Sequence, residues 1–285
     1  MKQKILIDGS REEYLEVKEA KKPKLFRDLG RRFLMSTIGG RKEFQKIFRT
    51  IFLMSCHGMN YGELGDFRKN GENIVLNYIK QKKINPIIFD VGANIGEYSN
   101  FVLNVFRNKP VNLYSFEPAT SSFEILKKNT KFKIFNIGFG DKIKTSNLFY
   151  QSDYSTQASL YQRDLREYGF ELNLKEKVKI DTIDNFCKKN KISKIDFLKI
   201  DAEGNELNIL KGAQNMMNSG NIDCIQFETG CNIDSKTYFR DFFYLLNSHY
   251  KIYRILKNGF IEISNYGWEN EIMVGANYFA IKRKS

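Results

Sequence analysis

The chain has 285 residues, 42% apolar and 28% charged, which suits a soluble folded protein with one large α/β domain and an appendage. No run approaches 18 uninterrupted apolar residues, which argues against a membrane-spanning helix. The opening MKQKILIDGS lacks the long apolar run of a secretory signal, so the expected location is the cytoplasm. The net charge of +13 is uneven: residues 1–86 hold 19 Lys+Arg against 10 Asp+Glu, a net of +9, leaving +4 for the rest. Such asymmetry points either to an anionic partner or to a solvated basic face.

In chain order, Arg11–Ala20 reads as a short charged helix, interrupted at Pro23. Arg41–Met54 reads as an amphipathic helix between Gly39–Gly40 and Gly58. Its Phe44, Ile47, Phe48, Ile51 and Phe52 recur at the three-and-four spacing of one helix face, and the expectation is that this face packs on a core. The basic Arg41, Lys42, Lys46 and Arg49 leave a second reading open, peripheral contact with an anionic membrane.

From residue 86 short apolar runs alternate with helical stretches, the mark of a parallel sheet with crossover helices. The predicted strands are Ile87–Val91, Leu113–Glu117, Ile134–Ile137, Ile195–Ile200 and Ile222–Glu228, with a hairpin and polar loop inside Asp141–Val178. Lys251–Leu256 and Tyr278–Lys282 follow without a full helix between them, which an antiparallel last strand explains. The expected architecture is a seven-stranded, mostly parallel, Rossmann-like α/β domain over residues 81–285. Residues 1–80 would form a basic helical extension serving substrate, partner or oligomer contacts, which leaves room for a homo-oligomer. Cys56, Cys187, Cys224 and Cys231 are scattered, with no CxxC pair and only two histidines, which disfavours zinc and suits reduced structural thiols.

The strongest local signal is Ile87-Ile88-Phe89-Asp90-Val91-Gly92-Ala93-Asn94-Ile95-Gly96, a buried strand entering a glycine loop and then a helix. The spacing is Gly-x-x-x-Gly rather than the Gly-x-Gly-x-x-Gly of a dinucleotide site. Asp90, just ahead of the first glycine, would repel a diphosphate but can attract the methionine ammonium of S-adenosylmethionine, directly or through water. About 20 residues on, Glu117 ends the second strand, where a carboxylate can accept both ribose hydroxyls. A strand-end glutamate meeting solvent is the plain alternative. Strands four and five also end in acids, so Asp201, Glu203 and Glu228 could converge on one pocket beyond the carboxyl edge of the sheet. Glu206, one turn later, reads as a helix N-terminal charge.

Taken together, FDVGANIGEYS, SFEP, NIGFGD, IDTIDNF, FLKIDAEGNELNILKGA and QFETG resemble the FkbM-type family of S-adenosylmethionine-dependent methyltransferases across residues 71–230. The resemblance implies a class I methyltransferase fold and O-methylation of a sugar, glycan or related natural product. It maps Asp90, Gly92, Asn94 and Gly96 onto the cofactor loop, Glu117 onto the ribose acid, and Asp141 near the adenine. Asp201, Glu203 and Gly204 match an element beside the transferred methyl, and Asn70-Gly71-Glu72 resembles an element just before the core. Residues 1–60 match nothing in the family.

An aliphatic hydroxyl needs help losing its proton, and Asp201 is the first candidate base, with Glu203 and Glu228 behind it. His249 reads as a packing residue, and His57 reaches the pocket only if the N-terminal region folds over it. A divalent cation held by the carboxylates is a second route, although no ligand spacing indicates a metal. Two rival functions remain open. An NAD(P)-dependent oxidoreductase is disfavoured by the glycine spacing. An RNA-directed methyltransferase would use Lys18–Arg49, which holds 11 Lys+Arg against 3 Asp+Glu, but no base-flipping motif or RNA-binding module accompanies that charge.

Overall fold

The computed structural model describes residues 5–6, 32, 35–62, 66–128, 131–166, 169, 171–229 and 234–284. Strands β2 (Ile87–Val91), β3 (Asn112–Phe116), β4 (Lys133–Phe135), β8 (Ile195–Ile200) and β9 (Ile222–Thr229) run parallel, with β2 between β3 and β8. Beyond β9 lies β12 (Ala276–Lys282), antiparallel to it, and then β10 (Tyr250–Leu256). The expected Rossmann-like class I methyltransferase core, with its antiparallel last strand, is therefore present.

The sheet has nine strands rather than seven. Strand β11 (Gly259–Ile263) folds back on β10 across a two-residue turn, pairing Gly259 with Leu256. Strand β1 (Ile5–Leu6) adds to β11 at the edge. The polar stretch after β4 forms a second sheet in the order β5 (Gly138–Phe139), β7 (Leu174–Asp181), β6 (Lys144–Tyr150). Its antiparallel β6/β7 pair is the expected hairpin.

The central strands are mostly apolar because both faces are covered, with Asp90, Ser115, Lys199 and Gln226 among the buried polar exceptions. Successive residues alternate between two cores: Ile88 and Phe89, Phe197 and Leu198, Cys224 and Ile225 each split one to either side. One core packs Phe116, Phe186 and Phe227 with helices α5 (Ile183–Lys189) and α6 (Glu206–Lys211). The other packs helices α2 (Glu72–Lys82) and α3 (Glu97–Val105), and α4 (Thr120–Leu126) follows β3. Val75, Leu76 and Ile79 of α2 are fully buried in it, so this core begins before residue 81.

The largest departure from expectation is helix α1 (Gln45–Gly58), which follows a single 3-10 turn over Lys42–Phe44. Its apolar stripe does not pack on the core. Ile47, Ile51 and Phe52 are exposed, and Cys56 is the one buried residue of the helix. The charged helix expected over Arg11–Ala20 lies outside the described residues. Cys56, Cys187 and Cys224 are buried and unpaired, while Cys231 also lies outside. Among the described residues no helix is long and apolar enough to cross a membrane.

Candidate active site

The carboxyl ends of β2, β3, β8 and β9 open on a cavity of about 1450 Å3. Pockets for one small ligand are usually about 300–1,000 Å3, so this one has room for two molecules side by side.

The glycine loop forms one wall. Gly92 has φ of +84°, and a Cβ there would fall 1.7 Å from the Asp201 carbonyl oxygen. The loops after β2 and β8 are thus pressed backbone to backbone, and the Asp201 N–H donates to the Val91 carbonyl at 3.0 Å. Asn94 (φ +46°) and Gly96 (φ +91°) complete the turn into α3. Glu117, only 6% exposed, is pinned by this loop and its own. One carboxylate oxygen accepts the Asn94 N–H at 2.8 Å and the other the Ala119 N–H at 2.7 Å. Burial pushes its carboxyl up to about 7 against the pull of those two donors.

On the facing wall Lys199 is buried, its ammonium 3.1 Å from Asp201, 3.8 Å from Asp90 and 4.5 Å over the Tyr98 ring. A cation taken out of water needs such partners. Beyond it the chain turns through Glu203 (φ +51°) and Gly204 (φ +108°). The buried Glu206, N-terminal residue of α6, holds that turn by accepting the N–H groups of Ala202 at 2.9 Å and Gly204 at 3.0 Å. Glu203 accepts Arg163 Nη1 at 2.8 Å. Burial raises the carboxyls of both Glu203 and Glu228, with Asp201 adding to each. Glu72 joins them through the tight Gly71 (φ +107°), accepting Asn70 Nδ2 at 2.7 Å and Gln226 Nε2 at 2.5 Å. The Tyr98 hydroxyl is buried without a hydrogen-bond partner among the described residues.

The sequence matches the methyltransferase FkbM domain over residues 90–260, more than half of the chain. The chain belongs to the FkbM methyltransferase family. It is therefore a methyltransferase by family, and no curated protein matches it. Among solved structures it resembles an FkbM methyltransferase from Methylobacillus flagellatus KT, at 15% identity and a TM-score of 0.44 over 70% of this chain. The alignment spans 44% of that protein, less than half of its length. It also resembles the plantazolicin methyltransferase BamL, solved with a triazolic desmethylPZN analogue and SAH. There the identity is 11% and the TM-score 0.44, over 76% of this chain and 85% of that one. A third likeness is to precorrin-6y C5,15-methyltransferase from Geobacter metallireducens GS-15, at 9% identity and a TM-score of 0.38, over 74% and 87%.

In this FkbM-family chain Gly92, Asn94, Glu117, Asp201, Glu203 and Glu228 all line the cavity, and Gly96 sits at its edge between the lining residues Ile95 and Glu97. Two expected residues are placed otherwise. Asp90 is fully buried beneath the lining, where it accepts the Ser99 hydroxyl at 2.6 Å and lies 3.8 Å from the Lys199 ammonium. Asp141 is exposed on the turn between β5 and β6, 3.9 Å from Lys144, and it is Gly138 and Phe139 that reach the cavity. His249 is exposed rather than packed, and neither histidine lines the cavity. Among the described residues no group of three His, Cys, Asp or Glu could hold a metal ion. Lys199 and Glu72 were missed as site residues. A lysine inside the apolar strand Phe197-Leu198-Lys199-Ile200 was the available signal, since a charge there must find partners.

Proposed function

We propose that the chain transfers a methyl group from S-adenosylmethionine to a hydroxyl oxygen of a sugar, glycan or related natural product. The observation that carries this reading is Glu117, a buried carboxylate whose two oxygens are each fixed by one backbone N–H. A carboxylate offers about four acceptor sites, so two remain for a pair of ribose hydroxyls. The close-packed turn from Gly92 to Gly96 leaves its backbone open to a ligand, and Asn94 borders it. Asp90 contributes from below by fixing Lys199 and Ser99.

Carboxyl groups outnumber basic side chains on the described lining by eight to three, and the three, Lys199, Arg163 and Arg166, are already paired with Asp201, Glu203 and Asp164. That balance favours a cationic cofactor and a neutral acceptor, and it opposes a phosphorylated or nucleic-acid acceptor. When bound, S-adenosylmethionine supplies a methyl group already made electrophilic by its sulfonium. Asp201 is the half-exposed carboxylate at the cavity, and it takes the acceptor proton. Lys199, 3.1 Å away, keeps it aimed. Glu203 and Glu228 are held toward their protonated forms and orient the acceptor's other hydroxyls.

Calorimetry of the full chain with S-adenosylhomocysteine and with NADH tests the cofactor, with binding of the first alone expected. Binding of NADH alone overturns the reading. Labelled methyl transfer to neutral oligosaccharides and uncharged glycolipids tests the acceptor, and label appearing only in RNA would overturn that half.

A further inference from the structure

Helix α1 presents an apolar face that nothing among the described residues covers. Ile47 is 55% exposed, Ile51 51%, Phe52 56% and Met54 67%. At 3.6 residues per turn Ile47, Ile51 and Met54 fall within about 60° of one another with Phe52 at the edge of the same face, and a folded monomer rarely leaves such a face in water. Around it stand Arg41, Lys42, Lys46 and Arg49, all exposed and without an ion pair among the described residues, against the single acid Glu43. The helix is not remote from the cavity. Four residues past its end, Gly62 lines the cavity, its N–H donating to the Gly275 carbonyl at 2.7 Å. The exposed Met273 and its neighbour Val274 line the same rim.

We propose that α1 lies in the interface of an anionic membrane, with its apolar stripe among the acyl chains and its basic residues at the head groups. Apolar and cationic side chains on one short helix are the two attractions an anionic lipid surface supplies together. A second copy of this chain satisfies only the first, because it would set a +13 chain and the same four basic residues against themselves. Nucleic acid satisfies only the second. Docking by α1 would hold the cavity rim at the lipid surface.

The test is flotation of the full chain with vesicles of phosphatidylcholine alone or with about one third phosphatidylglycerol. Flotation is expected with the anionic vesicles only, and it should fall more than about tenfold in about 1 M salt. The double substitution Ile51→Asp/Phe52→Asp should abolish it, and Lys46→Glu/Arg49→Glu should weaken it about tenfold or more. Both variants should keep the thermal midpoint and the S-adenosylhomocysteine affinity of the parent, which separates this outcome from misfolding. No flotation on anionic vesicles overturns the proposal, as does equal flotation of both variants. A parent dimer that Ile51→Asp/Phe52→Asp converts to a monomer overturns it in favour of a second copy.

Discussion

Strands β8 and β9 carry acids at both ends, and the two ends do opposite things. At the amino ends, Asp196 and Asp223 are enclosed by lysines. Lys83 lies 2.9 Å from Asp196 and also pairs with Asp223, while Lys194 and Lys282 reach Asp223 at 2.8 and 2.9 Å. Burial would push Asp223 up, but hydrogen bonds from Lys194, Lys83 and Lys282 outweigh it and hold the carboxyl at about 2. At the carboxyl ends, Asp201, Glu203 and Glu228 have Lys199 and Arg163 between them, and burial raises Glu203 and Glu228. One set of charges is neutralised and serves the fold. The other has fewer cations than acids and faces a cavity, the arrangement that suits binding and proton transfer.

The widest test of this contrast is Gly92→Ala. The new Cβ would meet the Asp201 carbonyl oxygen and sit at a φ that side chains rarely adopt. A destabilisation of about 3 kcal/mol or more is expected, with loss of both cofactor binding and turnover, read by thermal melts and calorimetry. Asp201→Asn should separate the two activities. Cofactor affinity should stay within about threefold while kcat drops by roughly 10²–10⁴, the usual contribution of a general base. Unchanged kcat would hand the role of base to Glu203 or Glu228.

Glu117→Ala should weaken S-adenosylhomocysteine about 100-fold through two lost charge-assisted hydrogen bonds, and it should lower the thermal midpoint by a few degrees because the Asn94 and Ala119 N–H groups lose their acceptor. The parent's affinity should also depend on pH. Only the ionised carboxylate accepts both hydroxyls, and burial raises its pKa to about 7. Affinity should therefore hold at about pH 8 and fall roughly tenfold by about pH 6, a dependence that Glu117→Gln removes.

Much of this was legible in the sequence wherever local chemistry decides the structure. Ile87–Val91 and Ile195–Ile200 are strands to the residue, each a mostly apolar run buried on both faces that ends at a turn, Gly92 in one case and Asp201 in the other. Glu117 was legible from its spacing to the glycine loop. What was not legible depends on contacts far apart in the chain. Asp90 stands beside Gly92 in the sequence, but its burial against Lys199 and Ser99 depends on residues that only the fold brings to it. Helix α1 has the periodicity of a packed helix, and periodicity records an apolar face without saying what meets it. Strand β11 was missed, although the two-residue turn that ends at Asn258-Gly259 is a hairpin signal.

The smallest expected effect lies at the amino ends of the strands, and it tests whether those charges serve the fold alone. Asp223 has a folded pKa of about 2, below the ordinary value of 3.8. The group therefore adds stability that is complete above the unfolded pKa and is lost as pH falls from about 4 toward about 2. Solvent reaches the pairs, so the contribution is discounted to about 1 kcal/mol. Asp223→Asn should lower the thermal midpoint by roughly 2–4 °C at neutral pH and by nothing near pH 2. Cofactor affinity and kcat should not move, because this cluster lies at the far end of β9 from Glu228. A change in kcat at an unchanged midpoint would mean that the two ends of the sheet are coupled, and the division of labour between them would have to be abandoned.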